Sequence, residues 1–137
     1  MTHSGDLTPT EAWDLLAQDP EAVLVDVRSE AEWTFVGVPD LTDLGKKLVT
    51  VSWSHWPGGA CNDGFVDELR AAGVDGSSPV LFICRSGARS GKAATAATQA
   101  GLAPSYNVSE GFEGDLDERG HRGSGGWRAR GLPWRQS

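Results

Sequence analysis

The stretch PVLFICRSGARSGKAATAATQAG, residues 79–101, decides the fold, because an apolar run ends there abruptly at a cysteine. Residues 80–84 are continuously apolar, which is typical of a strand buried on both faces. The alanine-rich residues 89–100 predict a helix that Gly101 ends. A strand that passes directly into a helix predicts an α/β fold with Cys84 at the carboxyl end of a strand, where such folds bind ligands.

Three more runs predict strands. They are AVLVDV, LVTVSW and SYNV, at residues 22–27, 48–53 and 105–108. Strands that alternate with helices favour a parallel sheet covered on both faces. A chain of 137 residues suits one domain. We therefore predict a single three-layer α/β/α domain over residues 1–137, with a central, mainly parallel sheet of four or five strands and an ordered core over about 7–134.

Helix-start signals precede three further segments. Thr8 begins a capping box with proline at the first helical position, and Ser29 is a second expected cap. Asn62 or Asp63 is expected to cap the third helix. The helices are predicted over about 9–18, 30–35 and 63–72. The remaining segments are expected to be irregular, namely a frayed end at 1–7, residues 36–47 and the glycine-rich chain from residue 111 onward.

The chain is acidic, but its charge is unevenly distributed. It holds 12 basic and 19 acidic residues, for a net charge of −7, and residues 119–137 carry five of the arginines and no acid. A net acidic surface argues against nucleic-acid binding. Residues 1–13 lack the basic and apolar regions typical of a secretory signal, so we expect none, and no apolar run approaches the roughly 20 residues that cross a membrane. We expect a cytoplasmic protein without membrane or nucleic-acid partners, whose basic tail packs on its own domain, although docking of a partner stays open.

The loop after Cys84 is rich in hydrogen-bond donors. Gly87 permits a positive φ, which lets successive N–H groups aim at one point, and the following helix adds the positive end of its dipole. Such surroundings favour an anion, and the nearest candidate is a cysteine thiolate. We therefore predict that Cys84 is a nucleophile rather than an inert core residue. The residues expected to bind substrate around it are Arg85, Ser86, Gly87, Ala88, Arg89 and Ser90.

Two other anion-binding loops fit this sequence less well. A nucleotide P-loop needs four residues between its glycines and a hydroxyl residue after its lysine, whereas GARSGKA has three residues and an alanine. The phosphate cradle of cysteine phosphatases has five residues between cysteine and arginine, but only four separate Cys84 from Arg89. The tighter ring suits a group smaller than phosphate, such as a persulfide sulfur.

Three motifs in this order resemble those of rhodanese-like sulfurtransferases. The loop CRSGARS is similar to the family pattern Cys-x-x-Gly-x-Arg-Ser, and VLVDVRSEAEW is similar to its early Asp-x-Arg strand end. YNVSEGFEG followed by GGWRARGLPW resembles the closing segment. The resemblance spans about residues 7–134. It departs at GVPDLTDLGKKLVTVSW, residues 37–53, where the family usually has Gly-His-Ile-Pro-Gly-Ala.

The resemblance implies a sulfurtransferase of the thiosulfate:cyanide type that works in two steps. Cys84 would take the outer sulfur of a donor such as thiosulfate and become a persulfide, which a nucleophile such as cyanide or a thiol would then remove. A protein thiol is a further acceptor. Backbone N–H groups of the loop would hold the persulfide anion. No cofactor is implied, and two cysteines and three histidines make no metal-site spacing.

The sequence leaves more than one role open for several side chains. Arg85 and Arg89 are candidates for attracting an anionic donor, but Arg89 would serve equally as a clamp across the loop. Asp26 and Arg28 match a family motif, and we expect them to support the loops at the sheet's end. Cys61 is either an incidental thiol or a partner that resolves the persulfide or forms a regulatory disulfide.

Other functions also stay open. Trp53, His55 and Trp56 either line a substrate pocket or anchor a loop. On the same architecture, the chain could be a cysteine-dependent phosphatase or arsenate reductase, which the short loop disfavours. A non-catalytic binding module is the remaining alternative, and the intact cysteine loop argues against it.

Overall fold

The central sheet has five strands, all paired in parallel. The computed structural model describes residues 4–54, 61–102 and 104–136. Its strands are β1 (Gly5–Leu7), β2 (Val23–Asp26), β3 (Val38–Pro39), β4 (Val49–Thr50), β5 (Val80–Ile83), β6 (Ser105–Val108) and β7 (Trp134–Arg135). The sheet has the order β1-β6-β5-β2-β4, and β3 pairs with β7 in a separate antiparallel ribbon. The predicted parallel sheet is confirmed, and its carboxyl ends meet at one edge.

Helices cover both faces of the sheet. They are α1 (Pro9–Gln18), α2 (Glu30–Phe35), α3 (Phe65–Ala71), α4 (Ala88–Gln99) and α5 (Gly126–Ala129). The capping box predicted at Thr8 is present, and the cap predicted at Ser29 is confirmed and is also a capping box. The predicted cap of the third helix is wrong. Gly64 is the N-cap of α3, and Asn62 instead accepts a hydrogen bond from the Gly64 N–H, one residue before the helix begins.

Side chains of the central strands alternate between two apolar clusters. In β5, Val80 and Phe82 belong to the cluster that α3 and α4 cover, whereas Leu81 and Ile83 belong to the cluster that α1 and α5 cover. All four are buried, as the continuous apolar run predicted. The molecule therefore has the three layers expected of an α/β/α domain.

Residues 1–7 were expected to fray, but Gly5–Leu7 form the edge strand β1. This strand pairs with β6, with Asp6 opposite Asn107. A three-residue strand has too little alternation to be recognised in the sequence. Its hydrogen bonds cover an edge of β6 that would otherwise expose unpaired backbone groups. The chain's first described residues thus complete the sheet.

Three further segments differ from the expectation. The strand predicted over 48–53 is limited to Val49–Thr50, although two later N–H groups still donate to the carbonyls of Asp26 and Val27. The segment 36–47 contains β3 and a 3-10 turn at Thr42–Leu44. The C-terminal segment contains α5 and β7, and β7 forms by pairing with β3, far away in sequence. Partners so distant leave no local signal.

The C-terminal segment packs closely on the domain. Trp127 is fully buried and lies edge-on to Trp13 of α1, with ring centroids 5.8 Å apart. Its indole N–H donates to the carbonyl of Pro133. Arg128 and Arg130 form ion pairs with Glu113 and Glu110. Within the described ranges no helix has the length and apolar character needed to span a bilayer, and the cytoplasmic location stays a prediction.

Candidate active site

Cys84 follows β5 directly, at the carboxyl edge of the sheet. Its side chain is only 1% exposed and contacts the cluster under α3 and α4. Its carbonyl accepts a hydrogen bond from the N–H of Phe112 at 2.8 Å, which ties the start of the loop to the segment after β6. The sulfur is therefore held in a fixed position rather than at a mobile loop tip.

Two hydrogen-bonding groups reach the sulfur in the described part of the chain. The N–H of Gly87 donates to Sγ at 3.1 Å, and the hydroxyl of Ser90 lies 3.2 Å from it. Gly87 is the N-cap of α4 with φ +106°, so the sulfur lies at the positive end of that helix. A thiolate placed here gains both a donor and a favourable dipole.

The shape of this loop depends on glycine. A Cβ added at Gly87 would lie 2.3 Å from the carbonyl oxygen of Ser109, and the left-handed φ is itself unfavourable for other residues. A Cβ at Gly111 would lie 2.5 Å from the carbonyl of Arg85. The active loop and the segment after β6 therefore approach each other backbone to backbone.

Arg89 is clamped to α2 by Glu32. Its two terminal nitrogens donate to the two carboxylate oxygens at 2.7 and 2.9 Å, the bidentate geometry that favours arginine. Burial alone raises the pKa of Glu32, but hydrogen bonds and charge from Arg89, with help from Ser29 and Arg28, lower it to about 2. The hydrogen bonds that Arg89 donates to Glu32 in turn raise the pKa of Arg89. Of the two roles predicted for Arg89, the geometry matches the clamp.

Arg85 differs from Arg89 in its surroundings. It is exposed, and no ion pair or side-chain hydrogen bond joins it to another described residue. Only its backbone is fixed, through a carbonyl that accepts from the N–H groups of Glu113 and Gly114. Its guanidinium is thus a cation of the loop that is not neutralised within the described chain.

Asp26 and Arg28 form a fully buried ion pair at the carboxyl end of β2. The Nη2–Oδ2 distance is 2.7 Å, and the same nitrogen donates to the carbonyl of Gly37 at 2.6 Å. The guanidinium lies 4.4 Å from the ring centroid of Phe112, whose N–H binds the carbonyl of Cys84. The pair therefore links three segments beneath the active loop.

Ser90 connects the sulfur to β6. Its fully buried hydroxyl lies 2.6 Å from Oδ1 of Asn107, and Nδ2 of Asn107 donates to the carboxylate of Asp6. Sequence reasoning included Ser90 but missed Asn107, Asp6 and Glu32. The Asp6–Asn107 pair was hidden by the unrecognised strand β1, and Glu32 lies 57 residues from Arg89, so no local pattern connects the two.

The remaining residues that the sequence suggested for the site make no described contact with Cys84. Cys61 is exposed and makes an isolated bridge with Ser54, and both cysteines are free thiols. Trp53 packs edge-on against Phe65 with centroids 5.1 Å apart. His55 and Trp56 lie outside the described residues. Among the residues that are described, no cluster of His, Cys, Asp and Glu is arranged to hold a metal ion.

Comparison with known proteins agrees with this geometry. The parallel sheet with a cysteine loop at its carboxyl edge defines a rhodanese-like domain, as the resemblance of the motifs implied. The chain belongs to the family described as the STR4 middle domain, whose sequence model matches residues 5–137.

Similar proteins include characterised and uncharacterised ones. The crystal structure of Rv0390 from M. tuberculosis is 55% identical, covers 99% of this chain and 100% of that one, and has a TM-score of 0.90. An uncharacterized protein of Rickettsia conorii is 36% identical over 94% of this chain and 95% of its own length. The chloroplastic rhodanese-like domain-containing protein 4 of Arabidopsis thaliana is 28% identical over 90% of this chain, but this chain spans only 24% of it.

One structural relative has a named sulfur-transfer activity. It is the polysulfide-sulfur transferase homodimer of Wolinella succinogenes, which is 26% identical to this chain. The match covers 96% of this chain and 78% of that one, with a TM-score of 0.63.

Proposed function

We propose that this protein is a sulfurtransferase that carries a sulfane sulfur on Cys84. The observation that carries the proposal is the contact between the sulfur and the start of α4. Sγ of Cys84 accepts a hydrogen bond from the N–H of Gly87, at the N-cap of a 12-residue helix. A negative charge at that position is stabilised without a neighbouring base.

The first step transfers sulfur to the enzyme. The Cys84 thiolate attacks the outer sulfur of thiosulfate, a new S–S bond forms, and the old S–S bond breaks as sulfite leaves with its electron pair. The product is a cysteine persulfide anion. Arg85 supports an anionic donor, because it is exposed, has no ion-pair partner among the described residues and adds positive charge where the donor approaches.

The second step returns the enzyme to its resting state. Cyanide or a thiolate attacks the outer sulfur of the persulfide, and the Cys84 thiolate is the leaving group. Because the first N–H groups of a helix lack intrahelical partners, those of Ala88, Arg89 and Ser90 are the donors proposed for the outer sulfur. A thiol on another protein is an acceptor of the same chemistry as a small thiol. No metal or cofactor is needed for either step.

The observed clamp disfavours a phosphatase or arsenate reductase. A phosphate or arsenate cradle requires the guanidinium at the end of the loop to bind the oxyanion. Here both terminal nitrogens of Arg89 bind Glu32 instead. The shorter loop, with four residues between Cys84 and Arg89, also leaves less room for a tetrahedral oxyanion.

Intact mass after incubation with thiosulfate tests the proposal. Wild type and Cys61→Ser are expected to gain one sulfur that cyanide removes, and Cys84→Ser to gain none. Polysulfide is the second donor to use, because a structural relative is a polysulfide-sulfur transferase. If neither donor modifies Cys84, the proposal fails, and turnover of an aryl phosphate or of arsenate would then support the alternative enzymes.

A further inference from the structure

A chain of side chains runs from the protein surface to the sulfur of Cys84. It begins at Asp6, which is exposed on β1, and continues through Asn107, its register partner on β6. Asn107 is 7% exposed and Ser90 is fully buried, so the inner part of the chain is shielded from water. The steps are 3.2 Å from Asp6 to Asn107, 2.6 Å from Asn107 to Ser90 and 3.2 Å from Ser90 to Sγ.

The orientation of the Asn107 amide follows from Asp6. An ionised carboxylate only accepts hydrogen bonds, so the NH₂ group of Asn107 must face Asp6. The amide oxygen then faces Ser90, and it can only accept as well. The carboxylate of Asp6 therefore determines that the oxygen of the Asn107 amide, and not its nitrogen, faces Ser90.

The hydroxyl of Ser90 has a single proton and two acceptors. The amide oxygen of Asn107, at 2.6 Å, has the ordinary geometry of an O–H···O hydrogen bond. If the proton points there, a lone pair of Ser90 faces Sγ at 3.2 Å. That arrangement suits a thiol, whose S–H can donate to Ser90, and it opposes a negative sulfur.

A thiolate or persulfide needs the opposite arrangement. The proton of Ser90 would turn to the sulfur, and its oxygen would then face the amide oxygen of Asn107 without a hydrogen between them. Turning the amide over would relieve this conflict, but it would bring the amide oxygen against the carboxylate of Asp6. The first alternative is unfavourable because two acceptors meet in a buried place, and the second because an amide oxygen faces a negative carboxylate.

We propose that Asp6 and Asn107 are positioning residues that direct the Ser90 proton away from Cys84 and so restrain the reactivity of its sulfur. Loss of either residue frees the Ser90 hydroxyl to donate to a negative sulfur. Neither residue touches the reacting atom, and both act through Ser90. The proposal rests on the proposed function only in taking Cys84 as the reacting group.

The rate at which iodoacetamide alkylates Cys84 tests this proposal independently of sulfur transfer. All proteins carry Cys61→Ser, so that one thiol reacts, and the rate is measured by intact mass at one fixed pH near neutrality. Asp6→Asn and Asn107→Ala are each expected to raise the rate about three- to tenfold, the effect of one redirected hydrogen bond. Asp14→Asn, a carboxylate on the exposed face of α1, is the charge-matched control and is expected to leave the rate unchanged.

A double-mutant cycle separates the hydrogen-bond chain from simple removal of a negative charge. In a Ser90→Ala background, Asp6→Asn is expected to have no effect, because the chain is already broken. If Asp6→Asn still raises the rate in that background, its charge acts through space and the proposal is wrong. Unchanged rates in both single variants, or no alkylation in any protein, would overturn it equally.

A folding defect can be distinguished from the proposed effect. Asn107→Ala removes a buried side chain, and exposure of the thiol by partial unfolding would also speed alkylation. Asp6→Asn changes only an exposed side chain, and thermal melting of each variant identifies any that has lost its fold. A failure of Cys84 to accept sulfur would count against the proposed function and would leave the alkylation result as it stands.

Discussion

Arg89 and Glu32, 57 residues apart in sequence, join the first turn of α4 to α2 through two parallel hydrogen bonds. Glu32 also accepts from the backbone N–H of Ser29 and so closes the capping box of α2. One carboxylate therefore stabilises a helix and holds the end of the cysteine loop. Because Glu32 has both roles, its substitution should affect both the stability of α2 and the position of the cysteine loop.

Replacing Glu32 with glutamine should weaken both the fold and the transfer reaction. The amide can accept only one of the two Arg89 hydrogen bonds and leaves a partly buried cation without its counter-charge. We expect a loss of about 1–3 kcal/mol in the free energy of unfolding, measured by urea titration, together with slower persulfide formation. Glu30→Gln, at an exposed position of the same helix, is the matched control and should change neither quantity.

The same ion pair predicts how stability depends on pH. The pKa of Glu32 is lowered from 4.5 to about 2, so the folded state binds its proton less readily than the unfolded state. This contribution, at most about 3 kcal/mol, is present above the unfolded pKa and is lost as pH falls through it toward the folded value. The stability difference between wild type and Glu32→Gln should therefore shrink between about pH 6 and pH 3. A constant difference over that range would contradict the prediction.

Gly87→Ala should abolish sulfur transfer and destabilise the protein. Its Cβ would lie 2.3 Å from a backbone oxygen, which forces the cysteine loop away from the segment after β6. Gly45→Ala is a useful control, because Gly45 also has a positive φ but no atom lies within 4 Å of its added Cβ. We expect the control to cost about 1 kcal/mol and keep activity, and Gly87→Ala to cost clearly more. Equal losses of stability in the two variants would mean that the positive φ causes the loss and that the contact with the Ser109 carbonyl does not contribute.

Arg85→Ala should weaken the use of anionic donors more than the chemical step. Because its guanidinium has no ion-pair partner in the described chain, removal leaves no buried charge behind and should not lower stability. We expect KM for thiosulfate to rise several-fold with little change in kcat, and the effect to fade at high salt. Arg119→Ala, an exposed arginine of the tail, serves as the control. An unchanged KM for thiosulfate would show that Arg85 does not help to bind the donor.

Much of this architecture follows from local sequence patterns. The run that ends at Cys84 predicted a buried strand, and the donor-rich loop predicted backbone N–H groups aimed at the sulfur, of which that of Gly87 is observed. What local patterns missed depends on pairing across the chain. Glu32 reaches its partner over 57 residues, and Asp6 meets Asn107 over 101. The local sequence around these residues does not predict such contacts, because they form only when distant parts of the chain meet in the folded protein.

The pairing of β1 with β6 also sets an order of events during synthesis on the ribosome. Residues 5–7 leave the exit tunnel early, but their partner strand ends only at Val108. At roughly 5–20 residues per second, translation separates the two by about 5–20 seconds. During that interval β1 has no partner strand, and the cysteine loop is made before β6 and its Asn107. The hydrogen-bond chain from Asp6 through Asn107 and Ser90 to the sulfur therefore forms only after β6 has been made and has paired with β1.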